Sequence, residues 1–403
     1  MNNPSGNFPH HNLLSDIVEE VKICRHLLHQ NPATCYEEFY ASDLIAQKLE
    51  EWGIEHERGW AGTGIVATIE GQRNSFGRRI GFRGDMDALD ITEESGADWA
   101  SLCPGKMHAC GHDGHMSMLL GTAKFLAQTR DFDGIVHLFF QPAEEGGGGA
   151  IRMIEQGLFE KYPVEQVYAV HNWPYVPRGL VGIKPGPIMA NSDYIFIKLR
   201  GKGGHAAMPH ECVDPVVAAA HVIASVQSLV SRRLDPLSAA VISITNVAAG
   251  TGAVNIIPGE VEMKGTVRTL DDRVRDFIAG ELELIIRSTA QAHGCTAEFE
   301  YQRKYEATIN HTQNAKFCAD IARELFGESQ IMTDFPPSMG GEDFGAMLKQ
   351  RPGCYAIFGQ AEPQDPASPY NHGLHHPKYD FNDAIIPDVI RYFSAIAQRA
   401  LPL

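Results

Sequence analysis

Apolar residues recur at helical spacing from Leu13 to His29 and from Glu37 to Trp52, with acidic residues on the other face, so the chain is expected to open with two helices. Short apolar runs then predict strands at Gly64 to Ile69 and Arg79 to Phe82, a helix at Met116 to Gln128, and strands at Gly134 to Phe140 and Val167 to Val170. This alternation predicts an α/β fold with a mostly parallel central sheet flanked by helices, in which ligands gather beyond the carboxyl ends of the strands. Polar residues stand at those ends. Asp85 and Asp87 follow the strand ending at Phe82, Glu144 and Glu145 follow the one ending at Phe140, and His171 ends the next.

From about Pro187 the texture changes. Strands are expected at Tyr194 to Leu199, Ala240 to Asn246 and Val261 to Arg268, with helices at Asp214 to Ser231 and Asp271 to Ala292. Near Tyr305 the first pattern resumes, with a helix from Thr312 to Leu325, a strand at Cys354 to Phe358 and a last helix at Ala384 to Ala400. The expectation is therefore a discontinuous domain, residues 1–187 and 305–403, interrupted by an α+β insert over residues 188–304.

Size and composition fit that picture. A chain of 403 residues exceeds what one core usually serves, and 44% hydrophobic with 21% charged residues suits a folded protein. Disorder is expected in no more than the first few residues. A net charge of -16 repels phosphate backbones and acidic lipid headgroups, which weighs against nucleic acid and membrane partners. The stretch Met1 to His11 lacks the basic start and apolar core of a signal peptide, and no later run reaches membrane-spanning length, so a cytoplasmic location is expected. Eight scattered cysteines do not form a disulfide framework, and most read as small buried hydrophobes.

Cys110 differs from the rest, because His108-Ala109-Cys110-Gly111-His112-Asp113-Gly114-His115 surrounds it with glycine and imidazole. Cys110 and His112 could chelate a divalent transition metal from a tight turn, or be a structural thiol and a helix-capping histidine. In Gln141-Pro142-Ala143-Glu144-Glu145-Gly146-Gly147-Gly148-Gly149, two like charges sit side by side, which is costly unless a cation neutralises one. The alternative is a solvated acidic turn. His171 and His375 both lie where apolar runs end, but spacing does not select them from the 18 histidines. His205, within Gly203-Gly204-His205-Ala206, stands either on a hinge or lid or in an ordinary hairpin connection, and Asn255 and Arg268 are ambiguous by themselves.

Taken in order, Gly84-Asp85-Met86-Asp87-Ala88-Leu89, the Cys110 segment, the Glu-Glu-Gly segment, His171-Asn172-Trp173-Pro174, Gly203-Gly204-His205-Ala206, Gly341-Glu342-Asp343-Phe344 and His375-His376-Pro377 resemble one family over nearly the whole chain. It is the amidohydrolase branch of the aminoacylase and carboxypeptidase metallohydrolase superfamily, which includes hippurate hydrolases, N-acyl-amino-acid amidohydrolases and auxin-conjugate hydrolases. The resemblance implies a catalytic domain holding two divalent metal ions (zinc, manganese, cobalt or nickel), and an inserted lid or dimerisation domain through which the chain would form a homodimer or higher homo-oligomer. Position by position, Cys110, His112, Glu145, His171 and His375 match the family's ligands, Glu144 its general base, and Asp87 the carboxylate that orients a ligand. The wider superfamily has histidine where Asp85 stands, so no ligand role carries over to Asp85.

The implied reaction is metal-assisted hydrolysis of N-acyl amino acids such as N-benzoyl or N-acetyl derivatives, with Glu144 handling protons and His205 stabilising the oxyanion. Asn255 and Arg268 would recognise the substrate's carboxylate or carbonyl. A thiolate ligand implies sensitivity to oxidation. The competing readings are an aminopeptidase or dipeptidase on the same scaffold, and a non-catalytic ligand-binding relative.

Overall fold

A computed structural model describes residues 10–403, so the expectation of disorder in the first few residues falls outside it. The chain divides into two compact units. One takes the residues up to Ile188 with Ile309–Pro336 and Asp343–Leu403; the other takes Met189–Thr308 and Pro337–Glu342.

The first unit opens with helix α1 (His11–Gln30), which buries Leu14, Ile17, Val21, Cys24 and Leu28 along one stripe, and α2 (Phe39–Glu51), which buries Ala41, Ile45 and Leu49. Arg25 and His29 sit on the buried stripe of α1 as well, so that stripe carries charge into the interior. A hairpin of β1 (Glu55–Trp60) and β2 (Gly64–Glu70) follows, then β3 (Arg79–Asp85), α3 (His112–Thr129), β4 (Ile135–Gln141) and β5 (Gln166–Pro177).

The sheet runs β1-β2-β4-β3-β5, continuing with the strands Gly353–Ala361, Val181–Gly182 and Ile331–Met332. Its centre, from β4 through β3 and β5 to Gly353–Ala361, is parallel throughout. β3 is buried at every position after Arg79, as expected of a strand covered on both faces. α3 is buried on nearly all sides and packs against the sheet between α1 and the closing helix Ile386–Ala400. The large mixed α/β sheet with flanking helices is the expected fold class.

The second unit is an antiparallel sheet in the order Ala240–Ala249, Glu260–Thr269, Ser192–Arg200, Thr296–Tyr305. Ile195, Ile197 and Leu199 alternate inward against the helices Pro215–Ser228 and Asp272–Ala292, the latter contributing Ile278, Leu282 and Ile286. Asp214 and Asp271 cap these helices by accepting from the amides two and three residues on.

Several boundaries differ from the sequence expectation. β1 and Thr296–Tyr305 were not anticipated, although Ala297, Phe299 and Tyr301 alternate with glutamates in the latter. β3 runs on to Asp85, so that residue ends the strand and does not follow it. α3 begins at His112, four residues before the expected start, and β5 extends past His171 to Pro177.

Candidate metal centre

Each central strand of the first unit hands polar residues to the same end of the sheet. β3 leads to Asp85 and Asp87, β4 to Glu144 and Glu145, and β5 carries His171 opposite Ile357 of the neighbouring parallel strand. Cys110 and His112 flank Gly111, whose φ of 90° lies in the left-handed region. Only glycine fits there: a Cβ would lie 2.5 Å from both Asn172 Oδ1 and the Tyr379 hydroxyl. His375, also left-handed at φ 63°, is anchored by its amide to the Ala109 carbonyl at 2.8 Å.

The five side chains matched as ligands come together as two overlapping triads. The donor atoms of Cys110, His112 and His171 lie within 4.8 Å of one another, as do those of Cys110, Glu145 and His375. Cys110 is common to both. Its sulfur is 3.6 Å from His171 Nε2, and Glu145 Oε1 is 3.1 Å from His375 Nε2. Glu144 joins a third group with His112 and Glu145.

The donor chemistry fits a cation. Among the described residues no well-aligned hydrogen bond satisfies either ring nitrogen of fully buried His112, whose Nδ1 is 3.4 Å from Asp87 Oδ1, or the Oε1 of Glu145, whose near contact is His375 Nε2 at 3.1 Å, a costly state that a bound ion relieves. Burial, with the Glu145, Glu144 and Asp85 carboxylates, pushes the Cys110 thiol well above its ordinary range. Burial alone would make His112 less basic, but Asp85, Asp87 and Glu145 outweigh it and raise His112 to about 10. Burial and the neighbouring His115 hold His171 well below its ordinary value, leaving a neutral imidazole. Excess carboxylate around a thiol and neutral imidazole is an arrangement that a divalent ion completes, displacing protons from sulfur and nitrogen as it enters.

Asp87 is held between parts of the site. Its two oxygens accept from the Glu144 and Glu145 amides at 2.9 Å each, and Oδ1 lies 3.4 Å from His112 Nδ1. Asp85 is engaged otherwise: Oδ2 takes the Arg83 guanidinium at 2.6 Å and Oδ1 meets His115 Nδ1 at 2.5 Å. His115 Nε2 meets Asn172 Oδ1 at 2.7 Å, and Asn172 Nδ2 donates to Tyr379 Oη at 2.7 Å. This buried chain reaches His171, whose ring centroid lies 4.5 Å from that of His115.

His205, Asn255 and Arg268 belong to the second unit. His205 sits on a two-residue strand paired with Ile256–Ile257, so it stands on a fixed ladder instead of a free loop. Its Nδ1 accepts from the Ala207 amide at 3.1 Å, and the Asn255 carbonyl accepts from the Ala206 amide at 3.0 Å; both residues are exposed. The Arg268 side chain is half-buried and makes no hydrogen bond or ion pair among the described residues.

Sequence reasoning passed over His115, Arg83, Asn172, Tyr379 and Glu38 as parts of the site's surroundings. His115 had a signal, since three-residue spacing on a helix stacks it against His112, with ring centroids 5.4 Å apart. The others are single polar residues whose partners are far away in sequence.

The chain is similar to known proteins over most of its length. A hippurate hydrolase of Campylobacter jejuni is 36% identical over 393 residues, covering 97% of this chain and 100% of the relative. An N-acyl-L-amino acid amidohydrolase of Geobacillus stearothermophilus is 40% identical over 303 residues, covering 75% and 80%. A Bacillus subtilis structure, a dinuclear metal binding peptidase from the M20 family, superimposes with a TM-score of 0.82 at 31% identity, covering 96% of this chain and 99% of the other. The model of peptidase family M20/M25/M40 matches residues 81–399, and the chain belongs to that family.

Proposed function

We propose that this protein is a metal-dependent amidohydrolase that cleaves N-acyl amino acids to a carboxylate and a free amino acid. The observation that carries the reading is the pair of donor triads sharing Cys110, with Glu144 beside them. The relatives named hippurate hydrolase and N-acyl-L-amino acid amidohydrolase support the substrate class.

Cys110, His112, Glu145, His171 and His375 would hold two divalent ions. When bound, such ions supply Lewis acidity to the amide carbonyl and to water. Glu144 takes the proton of the attacking water as the new C–O bond forms, then delivers it to the amide nitrogen as the C–N bond breaks. Asp87 fixes the backbone from which Glu144 and Glu145 project. His205 offers its Nε2 to the developing oxyanion, while Arg268, unpaired and half-buried, suits the substrate's α-carboxylate, with Asn255 assisting. Zinc, manganese, cobalt and nickel all suit this donor set.

The insert would act as a lid or dimerisation domain. Its edge strand Ala240–Ala249 exposes Val241 and Val247, and no charged residue occurs between Asp235 and Glu260. A long neutral edge invites pairing with a second copy, which would let His205 serve a neighbouring active site. Paired assays on benzoylglycine and an unblocked dipeptide test the function: release of glycine from benzoylglycine is expected, and exclusive cleavage of the dipeptide would shift the assignment to an aminopeptidase.

A further inference from the structure

Three consecutive amides of the turn that carries Glu144 and Glu145 end on buried carboxylates from distant parts of the chain. Asp87 takes the amides of Glu144 and Glu145, and Glu38 Oε1 takes that of Ala143 at 3.0 Å. Glu38 lies between α1 and α2 and is fully buried. It also accepts from the Tyr36 amide at 2.9 Å and, through Oε2, from the Thr63 hydroxyl at 2.5 Å. The Tyr36 phenol donates to the Gly147 carbonyl at 2.7 Å, and the Arg152 guanidinium lies 4.8 Å from the Tyr36 ring.

The segment from Tyr36 to Glu38 thus grips the acidic turn on both sides, at Ala143 before the glutamate pair and at Gly147 after it. The turn needs that grip. Ala143 is held at φ 56°, a conformation that a residue with a Cβ adopts only when its surroundings impose it. Pro142 contributes no N–H, so the Ala143 amide is the turn's first anchoring donor. A buried carboxylate is costly unless its oxygens are satisfied, and those of Glu38 are satisfied by this turn, by Tyr36 and by Thr63.

We propose that Glu38 is a positioning residue: by holding the Ala143 amide it sets where Glu145 meets a cation and where Glu144 meets water. The inference rests on the amidohydrolase reading for those two roles. It is tested by titrating metal-free protein with manganese or zinc in a calorimeter, and by steady-state hydrolysis of benzoylglycine after reconstitution. Glu38→Ala is expected to weaken cation affinity about tenfold or more and to lower kcat with KM changed less than about threefold, the range seen when supports of metal ligands are removed. Glu38→Gln keeps an oxygen for the amides and is expected within about threefold of the unaltered protein.

Thr63→Val, which removes one hydroxyl beneath Glu38, is expected to weaken cation binding by at least about threefold, and it decides the matter should Glu38→Ala not fold. Unchanged cation affinity and kcat in Glu38→Ala, or in Thr63→Val if the former does not fold, would overturn the proposal. So would a well-folded Glu38→Gln as impaired as Glu38→Ala. An unaltered protein that binds no cation would instead sink the amidohydrolase reading, and this inference with it.

Discussion

The His375 amide donates to the Ala109 carbonyl at 2.8 Å, tying the loop after the last sheet strand to the residue before Cys110. Through that contact the candidate ligands most distant in sequence, Cys110 and His375, are tied together by backbone. Because Cys110 belongs to both donor triads and His375 to only one, their losses should differ. Elemental analysis of His375→Ala is expected to show one cation fewer per chain, and of Cys110→Ser a deficit at least as large. Full occupancy in Cys110→Ser would remove the thiol from the ligand set.

Glu144→Gln should separate proton transfer from cation binding. Turnover is expected to fall by about 10²–10⁴-fold while metal content stays at the level of the unaltered protein. Assay and elemental analysis on the same preparation check both halves.

Gly111→Ala tests the junction where the Cys110 turn enters α3. The new Cβ would meet Asn172 Oδ1 and the Tyr379 hydroxyl at 2.5 Å, on a backbone already in the left-handed region. A destabilisation of at least ~2 kcal/mol is expected from strain and overpacking together, read by denaturant unfolding of the metal-free protein.

Stability should also respond to alkaline pH through His29 on α1. Burial alone would lower its pKa, but Asp113, at 2.8 Å, and Glu93, at 3.2 Å, raise it to about 9. Its folded-state pKa lies above the unfolded value of about 6.5, so its contribution is fully present below the latter and is lost as pH rises through about 9. Thermal unfolding of metal-free protein between those values should therefore show a steeper loss of Tm than His29→Gln shows. Parallel slopes would contradict the charged pairing.

Much of this was legible in the sequence, for physical reasons that also mark where legibility ends. The parallel centre of the sheet follows from apolar runs such as Ile80 to Phe82 and Val136 to Phe140, which are buried on both faces. Cys110, His112, Glu144 and Glu145 announce themselves because thiol, imidazole and paired carboxylates among glycines have little use in packing. His171 and His375 carried no periodic signal and were singled out by family resemblance alone. Strand ends drifted where polar residues continue a strand, as at Asp85 and beyond His171. Glu38 could not be found at all, since the pair Glu37-Glu38, with no glycine or imidazole around it, does not reveal that the partner of Glu38 is Ala143.

Hydrolysis is predicted to depend on cations held around Cys110. The most direct test is to strip the protein with a strong chelator, verify the removal by elemental analysis, and assay benzoylglycine before and after adding manganese, cobalt or zinc. Activity that vanishes with the metal and returns with it is the predicted result. Undiminished hydrolysis by protein shown to be metal-free would mean that the reaction needs no bound cation.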